Sequence, residues 1–396
     1  MIGCIVGGIC GGRFGPKRTV LLSGIPGILG WFCMALSPNL IVLLVGRVLC
    51  GFASSVTTAN CSLLVAQYST IQRRGIFLGL FALMVGIGIL LCYSLGAGLG
   101  WRYVACFPAV CYLFFMLGLL PIPESPIWLL SHKGRESAFK ALTWLRAKEA
   151  VLEEIEELEK TREKQKHGLT MIQALRNLSR PDIRKPFLLI TCNFCFVMFT
   201  GPFAMIFYAI QIFQESGIDA NEHLAAIVVA AIRVVGGIAA IVLIKKLPRL
   251  KQAMLTMSLM SLAMAVLGGV MYLQDLGFNH GILRVLPIIC VTIYMFSFGA
   301  GAGPLQWVFV GELLPPEYKV LSGVITCIST FAIFIITKIF PTLLLIMKPY
   351  GTYWLFALVG FSSNAFYSSL MPETKGMSML EIKELFHTVE QDKSDK

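Results

Sequence analysis

Arg233 is the residue whose chemistry is hardest to place. It sits in "VVAAIRVVGGIAAIVL", residues 228–243, where every other residue is apolar or glycine. A guanidinium stays charged at any working pH and carries five N–H donors. Near the middle of a membrane-length apolar run it costs from about 3 to more than 10 kcal/mol unless it faces protein or water. At least about 14 Å of helix separates it from either end of the span at 224–244, too far for its head to reach the interface. It must therefore face inward, either toward carbonyls and polar atoms of neighbouring helices or toward the hydroxyls or negative charge of a solute.

Other reactive-looking patterns carry less. Cys192 and Cys195 have CxxC spacing, but no second pair accompanies them. The twelve cysteines fall almost wholly in apolar runs, where a thiol behaves as a small hydrophobe. "FGAGAGPLQW", residues 298–307, has the glycines of a phosphate loop without a preceding strand signal, so close helix contact or local unwinding is expected there. Asn177-Leu178-Ser179 fits a glycosylation sequon on the basic side of the chain and is expected to stay unmodified. With no nucleotide loop, metal cluster or nucleophile–base pair legible, neither enzymatic activity nor a cofactor is expected.

The elements that must hold Arg233 are transmembrane helices. The chain is 56% hydrophobic and only 14% charged, with a mean hydropathy of +0.76. Soluble domains carry about 25% charged residues. Apolar runs long enough to cross a bilayer recur at 19–36, 40–66, 75–95, 102–121, 186–211, 224–244, 253–273, 285–310, 320–346 and 351–371. The opening MIGCIVGGICGG is about half a span, read as a helix lacking its first turns, which makes about eleven spans. The net charge of +11 falls mostly between spans and in alternate connections. By the positive-inside rule those connections and the C-terminus are cytoplasmic, and nucleic acid is not an expected partner.

One long polar segment, 124–185, divides the spans. Its stretch 136–166 has helical periodicity with interspersed acids and bases, reading as solvated amphipathic helices. The expected organisation is an N-terminal bundle (1–123), a cytoplasmic linker (124–185), a C-terminal bundle (186–371) and a cytoplasmic tail (372–396). The halves also echo each other. Gln67 precedes Arg74 by seven residues, as Glu312 precedes Lys319. Parallel halves are the mark of transporters built from repeats.

Several motifs resemble the sugar porter family of the major facilitator superfamily, with a likeness to insect trehalose transporters. They are "PESPIWLL" (123–130), "GRESAFKALTWLR" (134–146), "IFYAIQIF" (206–213), "GPLQWVFVGELLPPEYK" (303–319) and "PETKGMSMLEI" (372–382). The resemblance covers the whole chain. It implies an all-α membrane protein with the major facilitator fold, two six-helix pseudo-repeat bundles of which about eleven of twelve spans are present, the first being absent. It further implies facilitated diffusion of a sugar, trehalose or a hexose, by alternating access at the plasma membrane. The partners are then the sugar and the lipid bilayer.

The resemblance also implies the site. Arg233 stands where the family has a sugar-contacting asparagine, Trp307 keeps the family's tryptophan, and Gln306 replaces a proline. Trp307 would stack on a pyranose face, with Gln306, Ser329, Tyr208 and Arg233 as polar contacts. Met198 and Phe203 stand where the family has amides, which makes the cavity more apolar. At the cytoplasmic ends, Arg249, Glu312 and Lys319, with Arg13, Arg18 and Arg74, would form a latch. Gly12 and Gln67 stand where acids are expected and Ile127 where arginine is, so the latch is weakened and a bias toward the inward-open state is expected. Two alternatives stay open: an organic-anion carrier using Arg233, and a non-transporting sensor or inactive truncated paralogue.

Overall fold

The computed structural model describes residues 2–70, 74–146, 151–152, 154–156, 158–159, 171–210, 212, 222–278, 281–314, 318 and 321–375. Among them the long elements are helices: α1 (Ile2–Phe14), α2 (Pro16–Ala35), α3 (Leu40–Tyr68), α4 (Arg74–Gly98), α5 (Trp101–Leu119), α6 (Pro126–His132), α7 (Arg135–Leu145), α8 (Met171–Arg176), α9 (Pro181–Phe199), α10 (Pro202–Phe207), α11 (Glu222–Lys246), α12 (Arg249–Asp275), α13 (Leu286–Ser297), α14 (Gly303–Leu313) and α15 (Leu321–Leu370). A π turn, Phe298–Ala302, joins α13 to α14.

Nine of the described helical stretches are long and apolar enough to cross a membrane. One of them, α15, is 50 residues long and breaks at Lys348 (φ 58°, ψ 168°), so it supplies two spans. With the shorter apolar α1 the count reaches eleven, as the sequence led us to expect. The boundaries follow local chemistry. Asn39 caps α3 by accepting from the N–H of Val42 at 3.0 Å, and Ser125 caps α6 by accepting from Trp128 at 3.3 Å. Pro16, Pro126, Pro181 and Pro202 sit in first turns, where a missing N–H costs nothing.

The described residues form two compact units. The first comprises 1–77, 99–179 and 316–327. In it α2 packs on α3 and α5, and α1 on α3. Backbones approach closely where side chains are small: a Cβ on Gly30 would meet Gly46 O at 2.9 Å. The Asn60 amide donates to Gly7 O at 3.0 Å, giving a buried polar tie between α1 and α3. The amphipathic helices of the 124–185 segment form a small core of their own from Leu129, Leu130, Ala138, Ala141, Leu142, Val151 and Ile155. The segment 160–170, including Gly168, lies outside the described residues.

The second unit comprises 78–98, 180–315 and 328–396. In it α11 packs on α13 and on the π turn, α12 on α13, and α9 on α14. Its buried side chains include Phe194, Tyr294, Phe309, Phe340, Phe356 and Tyr367. Their polar tips are satisfied: the Tyr294 hydroxyl donates to Thr200 O at 2.8 Å, and that of Tyr367 to Asn193 Oδ1 at 2.6 Å.

Candidate functional site

Arg233 is positioned by two helices that approach it closely. Residues 78–98 of α4 run antiparallel to α11, with Gly79 beside Ile241, Leu83 beside Gly237 and Gly86 beside Arg233. On the other side α11 meets the π turn, where a Cβ on Gly299 would come within 2.5 Å of Arg233 O. The glycines at 299 and 236 let these backbones touch. The guanidinium carbon then lies 5.4 Å from the centre of the Phe298 ring, a cation–π contact. Arg233 is only 9% exposed, and its Nε and Nη1 find no hydrogen-bond partner among the described residues. The inward direction read from the sequence holds, and protein carbonyls do not satisfy these two donors.

The glycine-rich stretch read as close helix contact or local unwinding holds the π turn, and its glycines 299 and 301 are points of close contact. A π turn shifts the backbone hydrogen-bond register, and at membrane depth such groups need partners from neighbouring helices. Gln252 of α12 supplies one, donating from Nε2 to Ala300 O at 2.8 Å. Thr256 packs against Gly301. The turn runs on into α14, which carries Gln306 and Trp307.

Trp307 is held edge-on between Phe81 of α4 (centroids 6.2 Å, interplanar 82°) and Phe194 of α9 (5.5 Å, 83°), and is half-buried. Trp307 and Arg233 therefore meet the same helix, at Phe81 and Gly86. Five residues of helix correspond to about 7.5 Å along its axis. Gln306 is buried, with Nε2 unpartnered among the described residues.

The remaining residues named from the sequence lie in the same unit with other neighbours. Tyr208 donates its hydroxyl to Thr337 O at 3.4 Å and packs on Phe340 at 5.2 Å. Phe203 lies 6.3 Å from Phe207, half-buried. Met198 and Ser329 are buried.

Of the latch residues, Arg249 and Glu312 come together, with Nε and Nη2 at 3.3 and 3.4 Å from Oε1. Arg13 and Arg18 keep exposed side chains, Arg13 lying over the ring of Phe14 at 5.8 Å. Lys319 and the side chain of Arg74 lie outside the described residues.

Sequence reasoning quoted two motifs without assigning their acids, and these acids organise the helix ends. Glu373 of PETKG accepts from the N–H groups of Arg249 (2.9 Å) and Leu250 (3.0 Å) at the start of α12. Thr374 donates its hydroxyl to Glu312, and Lys375 Nζ donates to Lys245 O and Lys246 O at 3.0 and 2.9 Å, at the end of α11. In the first unit Glu124 of PESP accepts from Lys17 (2.9 Å) and Arg18 (3.1 Å) at the start of α2. Trp128 Nε1 donates to Gly12 O at 3.0 Å, near the end of α1. Each motif closes a turn between two helices by giving orphan N–H and C=O groups partners and by placing charge where the helix dipoles favour it. The signal in the sequence was the repetition of Pro-Glu followed by a hydroxyl residue after a span, at Pro123-Glu124-Ser125 and again at Pro372-Glu373-Thr374.

Membrane-length helices, one of them carrying a π turn beside a buried cation and an aromatic cluster, define the chain as a multi-pass membrane protein. A family model described as Sugar (and other) transporter matches residues 1–386. The chain belongs to that family, and it is a transporter rather than an enzyme. It is 32% identical over 389 residues to a facilitated trehalose transporter, Tret1, of Apis mellifera ligustica, covering 98% of this chain and 77% of the relative. A facilitated trehalose transporter homolog of Drosophila sechellia is also 32% identical over 389 residues, with coverage of 96% and 79%. In fold, the chain is similar to the proton:xylose symporter XylE bound to 6-bromo-6-deoxy-D-glucose. The TM-score is 0.80 at 20% identity, over 97% of this chain and 87% of that one.

Proposed function

We propose that the chain carries a sugar, trehalose or a hexose, down its gradient by alternating access, as a multi-pass protein of the plasma membrane with its C-terminal tail in the cytoplasm. The observation that carries this reading is Trp307: a half-buried indole on the helix that follows a π turn, flanked edge-on by Phe81 and Phe194. π turns inside helices are frequent at functional sites, and an indole face suits a pyranose. Gln306, with an unpartnered Nε2, supplies a hydrogen-bond donor next to it in the chain. The names of the insect relatives point to trehalose.

The chain divides, on this reading, into a bundle at 1–123, a linker at 124–185, a second bundle at 186–371 and a tail at 372–396. The matching clasps of Glu124 and Glu373 support two pseudo-equivalent halves. The basic connections that the Glu373 clasp closes, Lys245 to Lys251, support a cytoplasmic C-terminus. The test is uptake of radiolabelled trehalose and glucose into vesicles containing the purified full chain. Saturable uptake that unlabelled sugar inhibits is expected. Uptake equal to that of protein-free vesicles would overturn the reading.

A further inference from the structure

The described surroundings of Arg233 leave its charge uncompensated. Among the described residues no carboxylate pairs with it. The acids of the same unit whose side chains are described lie at helix ends with other partners: Glu312 with Arg249, Asp275 with Lys348 at 2.8 Å, and Glu373 with the start of α12. The described interior of the unit's spans contains no Asp or Glu. The Phe298 face softens the charge without giving Nε or Nη1 a hydrogen-bond partner, and the two hydroxyls on this stretch of α4 are spent elsewhere, Tyr93 donating to Ile206 O and Ser94 to Leu90 O. Water could satisfy the two donors, but it would leave a full positive charge at a depth where isolated charge is costly. Only an anion supplies both acceptors and countercharge.

We propose that Arg233 is the anion-binding centre of the transport site, taking a monoanion at its guanidinium during the cycle. The ion is either the carboxylate of a sugar acid, the substrate's own charge, or a chloride bound beside a neutral sugar. Gly86 is what admits the guanidinium to this position, because a Cβ there would stand 2.9 Å from Nη1. The inference rests on the sugar-transport reading only for the statement that the ion takes part in transport; the binding itself does not depend on it.

The experiment is a titration of the purified full chain in detergent with chloride and with glucuronate, replacing isethionate at constant ionic strength and reading the thermal midpoint. Glucose serves as the uncharged comparison, and Arg233→Gln and Arg233→Lys are titrated in parallel. A ligand that binds only the folded state raises the midpoint with concentration. A saturable rise with chloride or glucuronate in the wild type, absent in Arg233→Gln and shifted at least fivefold to higher concentration in Arg233→Lys, is the expected result. No rise in the wild type, or an unchanged rise in Arg233→Gln, overturns the proposal. Should Arg233→Gln fail to fold, the wild-type and Arg233→Lys titrations decide alone, an identical midpoint concentration in the two counting against it. Vesicle uptake then separates the sources. A substrate carboxylate predicts labelled glucuronate uptake, with the glucuronate-to-glucose ratio falling at least tenfold in Arg233→Gln. A co-bound ion predicts glucose uptake that rises saturably with chloride and no glucuronate uptake. Anion stabilisation without uptake of any sugar would sink the transport reading and leave the anion site standing.

Discussion

The carboxylate of Glu373 sits on the backbone N–H of Arg249 at 2.9 Å and of Leu250 at 3.0 Å, the same relation that Glu124 bears to Lys17 and Arg18. A helix start leaves four N–H groups without intrahelical partners, and an anionic acceptor there is both a hydrogen-bond partner and a favourable charge for the dipole. Two chain segments far apart in sequence thus carry one device twice. Removing it by Glu373→Ala is expected to cost about 1–2 kcal/mol, and Glu373→Gln, which keeps the shape, less. Thermal unfolding of the purified variants checks this; a Glu373→Ala midpoint equal to wild type would contradict it. In the first unit the cradle is tighter, because Gly15 (φ 96°) lets Glu124 approach to where a Cβ would stand 2.5 Å from its carboxylate. Gly15→Ala should therefore destabilise even though it alters no charge.

Lys348 adopts φ 58° and ψ 168°, a region that essentially only glycine occupies without strain. Its ammonium also bonds Asp275 at 2.8 Å, an exposed pair that solvent screens and that contributes little. Lys348→Gly and Lys348→Ala both lose that pair, but only glycine relieves the backbone. Glycine is expected to be the more stable of the two by about 1 kcal/mol, seen as a higher thermal midpoint. Equal midpoints would mean the backbone there relaxes without glycine.

The spans, the amphipathic helices within 124–185 and the close helix contact at the glycines of 298–303 were legible because each follows from local pattern: apolar length, periodicity, and glycine where backbones meet. The inward direction of Arg233 was legible from cost alone. What its neighbours are was not, because the antiparallel pairing of Gly86 with Arg233 and Leu83 with Gly237 joins segments that share no local signal. The same holds for Trp307, whose Phe81 and Phe194 come from helices remote in sequence. Tyr208 was read as a polar contact of the site from the family motif alone, and its hydroxyl and ring meet Thr337 and Phe340. Of the latch, Arg249 with Glu312 was legible from charge at matching helix ends, while Glu373 and Glu124 were hidden inside motifs whose acids could have served as solvated charges.

Gly299 is a packing glycine, since a Cβ on it would stand 2.5 Å from Arg233 O, a backbone atom that cannot swing away. Gly299→Ala is expected to force α11 and the π turn apart at a cost of about 1–3 kcal/mol. Gly88, where a Cβ meets nothing within 4 Å, provides the control. Gly88→Ala should leave the thermal midpoint unchanged or slightly raised, because alanine is the better helix former. Equal behaviour of the two variants would show that the close approach of α11 to the turn is dispensable.

Trp307 tests the sugar site most directly, because its two edge-on neighbours fix the indole plane independently of any ligand. If a pyranose stacks on that plane, Trp307→Ala removes an aromatic contact of about 0.5–1.5 kcal/mol, which corresponds to a rise in KM for sugar uptake of about two- to tenfold. Trp307→Phe keeps a ring of smaller area between Phe81 and Phe194 and should fall between the two. Truncation also opens space beside both phenylalanines, so part of any lost activity could be lost protein. Uptake is therefore normalised to folded protein, measured by monodispersity in detergent, and the effect is read in KM rather than in maximal rate. A purely structural indole would lower the amount of active carrier and leave KM at the wild-type value, and that outcome would remove Trp307 from the binding site.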